Sequence, residues 1–254
     1  MKLLQTLFAA TVLTFGAFTA QAAETAKTPV SVVLVHGAFA DGSSWNEVIP
    51  LLEAKGLNVV AVQNPLTSLA DDVAFTQRAI ANAPGKVVLA GHSWGGVVIT
   101  QAGNDDKVGA LVYVAAFAPS QGESANDVMK GHPTPPGLAS PVVDKAGYVS
   151  LSRETVAKHF AQDLTPKQTG LIYATQGPIR GANFDEKVSV AAWQGRPSWY
   201  IVAEQDHMID PKLQGEFAAK LKATTVKLPS SHVPMVSHPK EVAKAIIDAA
   251  NAIK

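Results

Sequence analysis

The chain has 254 residues, 21 basic against 21 acidic side chains, and no cysteine. A chain of this length forms one large domain or two small ones with an ample core, and with aromatics at only 7 % that core must be built of Ala, Val, Leu and Ile. The lack of a basic run excludes a nucleic-acid binder that lives on phosphate contacts. The lack of cysteine excludes disulfides, thiolate metal sites and a cysteine nucleophile.

In chain order, the first segment has the outline of an export signal. Lys2 precedes an almost unbroken apolar run from Leu3 to Ala20, and Ala20-Gln21-Ala22 has the small-x-small form of a cleavage site. A membrane anchor is the competing reading, but Gln5, Thr11, Thr14 and Gly16 interrupt the run. Residues 1–22 are expected to be a signal peptide. Residues 23–254 are then a single domain, released to the periplasm or the medium with no stable membrane anchor.

Strands and helices then alternate. Pro29 to Val35 is a β-branched run too short for a buried helix. Trp45 to Lys55 reads as a helix with Gly56 as its stop, and Asn58 to Val62 as a strand. Ser68 opens a helix through about Asn82, and Lys86 to Ala90 is a third strand. A helix to about Ala102 and a strand from Ala110 to Ala115 follow. Ser198 to Ala203 and Thr224 to Leu228 supply two more strands, and Pro239 to Ile253 the last helix. Continuous apolar strands alternating with helices predict an α/β fold, a mostly parallel sheet covered on both faces.

From Ala118 to Arg196 this rhythm breaks. A structureless loop of that length does not suit a compact domain, so the segment is expected to be an inserted cap at about 118–196, with helices at Arg153 to Leu164 and Pro166 to Thr175. A peripheral extension of the sheet is the alternative.

The informative motif is Gly91-x-Ser93-x-Gly95. As letters it is common, but it stands directly after a buried-type strand and directly before a helix, where a nucleophile elbow belongs. A serine hydroxyl cannot attack a carbonyl at neutral pH unaided. It needs a base, and the base needs an orienting acid. In this architecture they follow in the order serine, acid, histidine, each after a later strand. Asp206, after the strand ending at Ala203, is the candidate acid, and His232, after the strand ending at Leu228, is the candidate base. Asp210 competes for the acid role but lies against Pro211 at a helix start, where a carboxylate caps; Glu204 is another rival. His238 competes with His232 but directly precedes the final helix. Oxyanion donors are expected from the backbone N–H groups of Trp94, after the nucleophile, and of Ala38, in the loop after the first strand. His36 and His92 fall outside any triad position and are expected to brace loops or form pocket walls. His207, His232 and His238 lack metal-site spacing, so no metal is expected.

These segments together resemble a known family. VLVHGAF at Val33 to Phe39, GHSWGG at Gly91 to Gly96, AEQDHMI at Ala203 to Ile209 and SHVPMVSHP at Ser231 to Pro239 look like the α/β-hydrolase superfamily. Within it they are similar to the branch of plant methylester esterases, hydroxynitrile lyases and small bacterial esterase-like proteins. The resemblance implies a Ser93–Asp206–His232 triad and a cofactor-free site under the cap. The lyases of that branch carry threonine after the oxyanion-loop histidine and lysine after the catalytic histidine; here those positions are Gly37 and Val233, which disfavours cyanohydrin cleavage. An aspartate nucleophile, as in haloalkane dehalogenases or epoxide hydrolases, is excluded by Ser93.

The expected activity is carboxylic ester hydrolysis through an acyl-enzyme on a small uncharged ester. The competing readings are lyase-like or other non-hydrolytic chemistry, or a ligand-binding protein on the same scaffold. Phe39 and Phe117 are the expected pocket walls, with Trp94, Trp193 and the cap residues Leu171, Ile172 and Tyr173 as further wall candidates. Trp199, inside a strand, is expected to be core.

Overall fold

A computed structural model describes residues 29–254; the expected signal peptide at 1–22 lies outside the described residues. The central sheet has six strands: β1 (Val30–Val35), β2 (Asn58–Val62), β3 (Lys86–His92), β4 (Val108–Val114), β8 (Ser198–Ala203) and β9 (Thr224–Leu228). Their spatial order is β2-β1-β3-β4-β8-β9, and every pairing is parallel. β1 and β8 are buried along their whole length, whereas β2 and β9, the two edge strands, are exposed or half-buried except at their last residues.

Helices α1 (Ile49–Glu53) and α9 (Pro239–Ala252) pack on one another, and α9 lies across β1, β3, β4 and β8. Helices α2 (Leu69–Asn82) and α3 (Gly95–Ala102) pack together against β1. The right-handed crossover rule puts them on the opposite face, with α7 (Pro211–Lys220) between β8 and β9 beside them. Ser68 caps α2 by accepting from the Asp71 N–H at 3.0 Å. In α9, Val242, Ala245, Ile246 and Ala249 form the buried stripe.

The helix expected over Trp45 to Lys55 is instead two pieces, a 3₁₀ turn at Gly42–Trp45 and the short α1. Pro50 is the reason: inside a helix it has no N–H to donate and its ring clashes one turn back, but in the first turn of α1 neither matters. The segment between β4 and β8 contains α4 (Ala125–Met129), a three-stranded antiparallel sheet of β5 (Val142–Val143), β6 (Tyr148–Ser150) and β7 (Ile179–Arg180), and the helices α5 (Arg153–Thr155) and α6 (Pro166–Thr175). The helix expected from Arg153 to Leu164 is not continuous. α5 passes into a π turn at Val156–Phe160, closed by the Ala161 N–H on the Val156 carbonyl at 2.9 Å. The last helices are α8 (Pro234–Ser237) and α9. Among the described residues no helix is long and apolar enough to cross a membrane.

Candidate active site

The sheet reverses its winding between β1 and β3, which lead to neighbours on opposite sides. Open α/β sheets hold ligands beyond the carboxyl ends of strands at such a point. Because β1 and β3 pair directly, with Val35 opposite Gly91, the loops that leave them are neighbours. β8 and β9 pair with Ala203 opposite Leu228, so the segments carrying Asp206 and His232 are neighbours as well.

Ser93 has a φ of +52°, a left-handed conformation that costs a non-glycine residue about 1–2 kcal/mol. Its surroundings hold it there. The Gly96 and Phe117 N–H groups both donate to the Ser93 carbonyl, at 2.9 and 3.2 Å. The flanking glycines permit the turn: a Cβ on Gly91 would meet the Gly95 carbonyl oxygen at 2.5 Å, and one on Gly95 would meet that of Val35 at 2.5 Å. The side chain of Ser93 thereby faces a cavity of about 250 Å³ that it shares with Ala38, Phe39, Phe117 and His232.

His232 donates from Nδ1 to Asp206 Oδ2 at 2.7 Å. The same oxygen receives Gln214 Nε2 at 2.7 Å, and Asp206 Oδ1 receives the N–H groups of Met208 and Ile209 at 2.6 and 3.1 Å. Every lobe of this buried carboxylate is thus engaged. Gln214 is itself held, accepting from the Ala203 N–H at 2.9 Å and donating to the Ile209 carbonyl at 2.9 Å. Asp210 accepts from the Lys212 N–H at the start of α7, and Glu204 is exposed. His238 bonds the Ser237 hydroxyl at 2.9 Å just before α9, away from the carboxylate.

The other buried histidines brace the loops. His92 donates from Nε2 to the main-chain carbonyl of His232 at 2.8 Å. Burial, together with the neighbouring His232, drives its pKa well below the ordinary histidine value, so the ring is neutral. His36 donates from Nδ1 to the Gly37 carbonyl at 2.8 Å and accepts the Asn64 N–H on Nε2 at 2.9 Å. Burial lowers its pKa too. Between these anchors the loop turns through Phe39, at a φ of +60°, and brings Ala38 to the cavity.

The Trp94 side chain does not line the cavity. It runs under the elbow and donates from Nε1 to Asp72 Oδ2 at 2.7 Å. Asp72 also accepts the Leu66 N–H at 2.8 Å, and burial raises its pKa to about 6 despite both bonds. Phe117 is seated by Tyr200, whose hydroxyl donates to the Ala116 carbonyl and accepts the Ala116 N–H at 3.2 Å.

The segment between β4 and β8 closes the cavity with Met129, Leu138, Val149 and Phe184. Phe160 lies edge-on to His232, centroids 5.1 Å apart, and the Ser231 N–H donates to Asp163 at 2.9 Å. Leu171 and Ile172 line a second, adjacent cavity rather than this one. Tyr173 lies under the Arg153 guanidinium, Trp193 donates to the Pro119 carbonyl at 2.9 Å, and Trp199 is core. Among the described residues no group of three or more His, Cys, Asp or Glu side chains could hold a metal ion. Gln214 and Asp72 are site residues that the sequence did not disclose, since an amide or carboxylate on an amphipathic helix carries no local mark of facing inwards.

The sequence model of the Alpha/beta hydrolase family matches residues 32–245, and the chain belongs to that family. It is similar to a pyrethroid hydrolase of Sphingobium wenxiniae, 30 % identical over 89 % of each chain. It is also similar to methylesterase 8 of Arabidopsis thaliana, 29 % identical over 72 % of this chain and 74 % of the relative. Among solved structures, the pyrethroid hydrolase of Sphingobium faniae superposes with a TM-score of 0.77 at 25 % identity, covering 89 % of this chain and 98 % of that one.

Proposed function

We propose that this protein is a serine carboxylester hydrolase that works through an acyl-enzyme at Ser93. Ester hydrolysis is supported by relatives that carry the names hydrolase, pyrethroid hydrolase and methylesterase. The observation that carries the finer reading is the union of the His232–Asp206 bond with a cavity open to both Ser93 and His232. With Nδ1 committed to Asp206, the Nε2 of His232 is the nitrogen left to take the serine proton. Ser93 Oγ bonds to the acyl carbon, and the carbonyl oxygen gathers negative charge against the N–H groups of Ala38 and Trp94, the latter at the N-terminal end of α3. The C–O bond breaks, the leaving alcohol takes the proton from His232, and water releases the acid by the same path in reverse.

The cavity walls favour a small uncharged ester. Among the described residues no Lys or Arg lines either cavity, and an anionic substrate entering an apolar site would lose hydration without a counter-charge. We further propose that residues 1–22 are removed on export and that the enzyme acts in the periplasm or outside the cell. N-terminal sequencing of the exported protein tests that point.

The decisive experiment is hydrolysis of a p-nitrophenyl ester panel by the wild type beside Ser93→Ala. Saturable turnover that the substitution abolishes is the expected result. Turnover surviving in Ser93→Ala would sink the acyl-enzyme and point to non-hydrolytic or water-attack use of the pocket. Tight ligand binding with no turnover would instead favour a binding protein.

A further inference from the structure

A second cavity of about 350 Å³ adjoins the one that holds Ser93. The two are separated by very little chain. Phe39 faces the inner cavity and Ala40 the outer; His232 faces the inner and Val233 the outer. Phe160, edge-on to His232 at 5.1 Å, forms the outer wall of the same partition. The outer floor is apolar, made by Phe160, Leu171, Ile172, Val233 and Val236, and lies between α6 and the 3₁₀ turn at Gly42–Trp45. Its rim carries Asp41 and Glu47 and, among the described residues, no basic side chain.

We infer that the outer cavity is the alcohol subsite, so that the enzyme takes esters whose acyl group fits the inner cavity of about 250 Å³ and whose alcohol is apolar, non-anionic and within the outer cavity of about 350 Å³. This rests on the esterase reading above and extends it to the leaving group. The direction follows from the chemistry. The acyl carbon must sit at Ser93 with its oxygen towards Ala38 and Trp94, which confines the acyl chain to the inner cavity. The leaving oxygen must sit at His232 to receive the proton that Ser93 gives up. His232 stands at the boundary of the two cavities, so on this assignment whatever is attached to that oxygen must pass beside it to the Val233 side. After the C–O bond breaks, the free alcohol already occupies the cavity bordered by polar rim residues, and the acyl group stays covered until water arrives. Acidic rim groups repel an alcohol that carries a carboxylate or phosphate and admit a neutral one.

Three esters with alkyl-type leaving groups separate the two sides: ethyl acetate, 1-naphthylmethyl acetate and methyl 1-naphthylacetate. Two substitutions narrow the outer cavity from opposite walls, Ile172→Trp on α6 and Asn46→Trp beside the 3₁₀ turn. Each is expected to lower the ratio of kcat/KM for 1-naphthylmethyl acetate over ethyl acetate by roughly tenfold or more, the scale on which apolar pockets discriminate. The ratio for methyl 1-naphthylacetate over ethyl acetate is expected to fall by much less. Equal falls in both ratios, or no change in either with both variants folded, would overturn the assignment.

The alcohol product gives a readout independent of turnover. 1-Naphthylmethanol is expected to bind the wild type and Ser93→Ala alike, followed by its own fluorescence, and to bind Ile172→Trp roughly tenfold more weakly. Binding with this pattern but no hydrolysis of any ester would remove the esterase reading and leave the subsite standing. Undiminished binding to Ile172→Trp would remove the subsite.

Discussion

Gln214 and His232 donate to the same oxygen, Oδ2 of Asp206, each at 2.7 Å. The carboxylate that orients the imidazole is therefore itself oriented by an amide from α7, which is locked in turn to the main chain of β8 through the Ala203 N–H. Gln214→Leu leaves that N–H and part of the carboxylate without partners in a buried place. At about 1–3 kcal/mol per orphaned group, a stability loss of about 2–4 kcal/mol is expected, with kcat for a short ester down roughly ten- to a hundredfold. Denaturant melts and steady-state kinetics check both. A stable variant with unchanged kcat would show that Asp206 needs no such support.

His92 reaches across 140 residues of sequence to hold the carbonyl of His232. His92→Phe keeps a ring in the space and removes the donor. It should lower kcat roughly tenfold, with less effect on KM, because on the proposed mechanism it loosens the base without touching the substrate walls. Kinetics on the ester panel decide. A change in KM alone would place His92 among pocket walls instead.

Gly37 lies so close to the elbow that a Cβ there would stand 2.7 Å from the Ser93 Cβ and 3.0 Å from His92 Nδ1. Both neighbours are held by their own bonds, so the loop must move. Gly37→Thr is expected to displace the Ala38 N–H and to cut ester turnover by roughly a hundredfold, the cost of losing one oxyanion donor. Wild-type rates in this variant would remove Ala38 from the proposed oxyanion site.

Asp72 gives a pH signature. Its carboxyl titrates at about 6 in the folded protein, raised by burial from an ordinary value of 3.8. In that interval the folded state holds a proton that the unfolded state has released, so this group makes folding less favourable as pH rises from about 4 to 6. Two pKa units correspond to about 3 kcal/mol. Asp72→Asn cannot titrate. The unfolding free energy of the wild type minus that of the variant should therefore fall by up to about 3 kcal/mol between pH 4 and 7 in urea titrations. A difference constant across that range would mean the carboxyl is ionised throughout.

The parallel strands and the places of Ser93, Asp206 and His232 after β3, β8 and β9 were legible because their signals are local. A β-branched run, a tight glycine turn and a helix start each lie within about ten residues. The helix over Trp45 to Lys55 was misread where a single Pro50 outweighed the apolar spacing. The helix at Arg153 to Leu164 was misread where a π turn interrupts it, the turn that seats Phe160 against His232.

By itself, the sequence determined which chemistry was available: a serine in an elbow, candidate acids and histidines after later strands in the right order, and no cysteine. It also determined the strands that carry them, since hydrophobic periodicity and turn chemistry act between near neighbours. Only the tertiary structure decided that Gln214 supports Asp206, that Asp72 anchors Trp94, and that Leu171 and Ile172 face a second cavity on the far side of His232. Those outcomes depend on contacts between segments far apart in the chain. Burial and packing select them, and no single segment contains the information about what will lie opposite it.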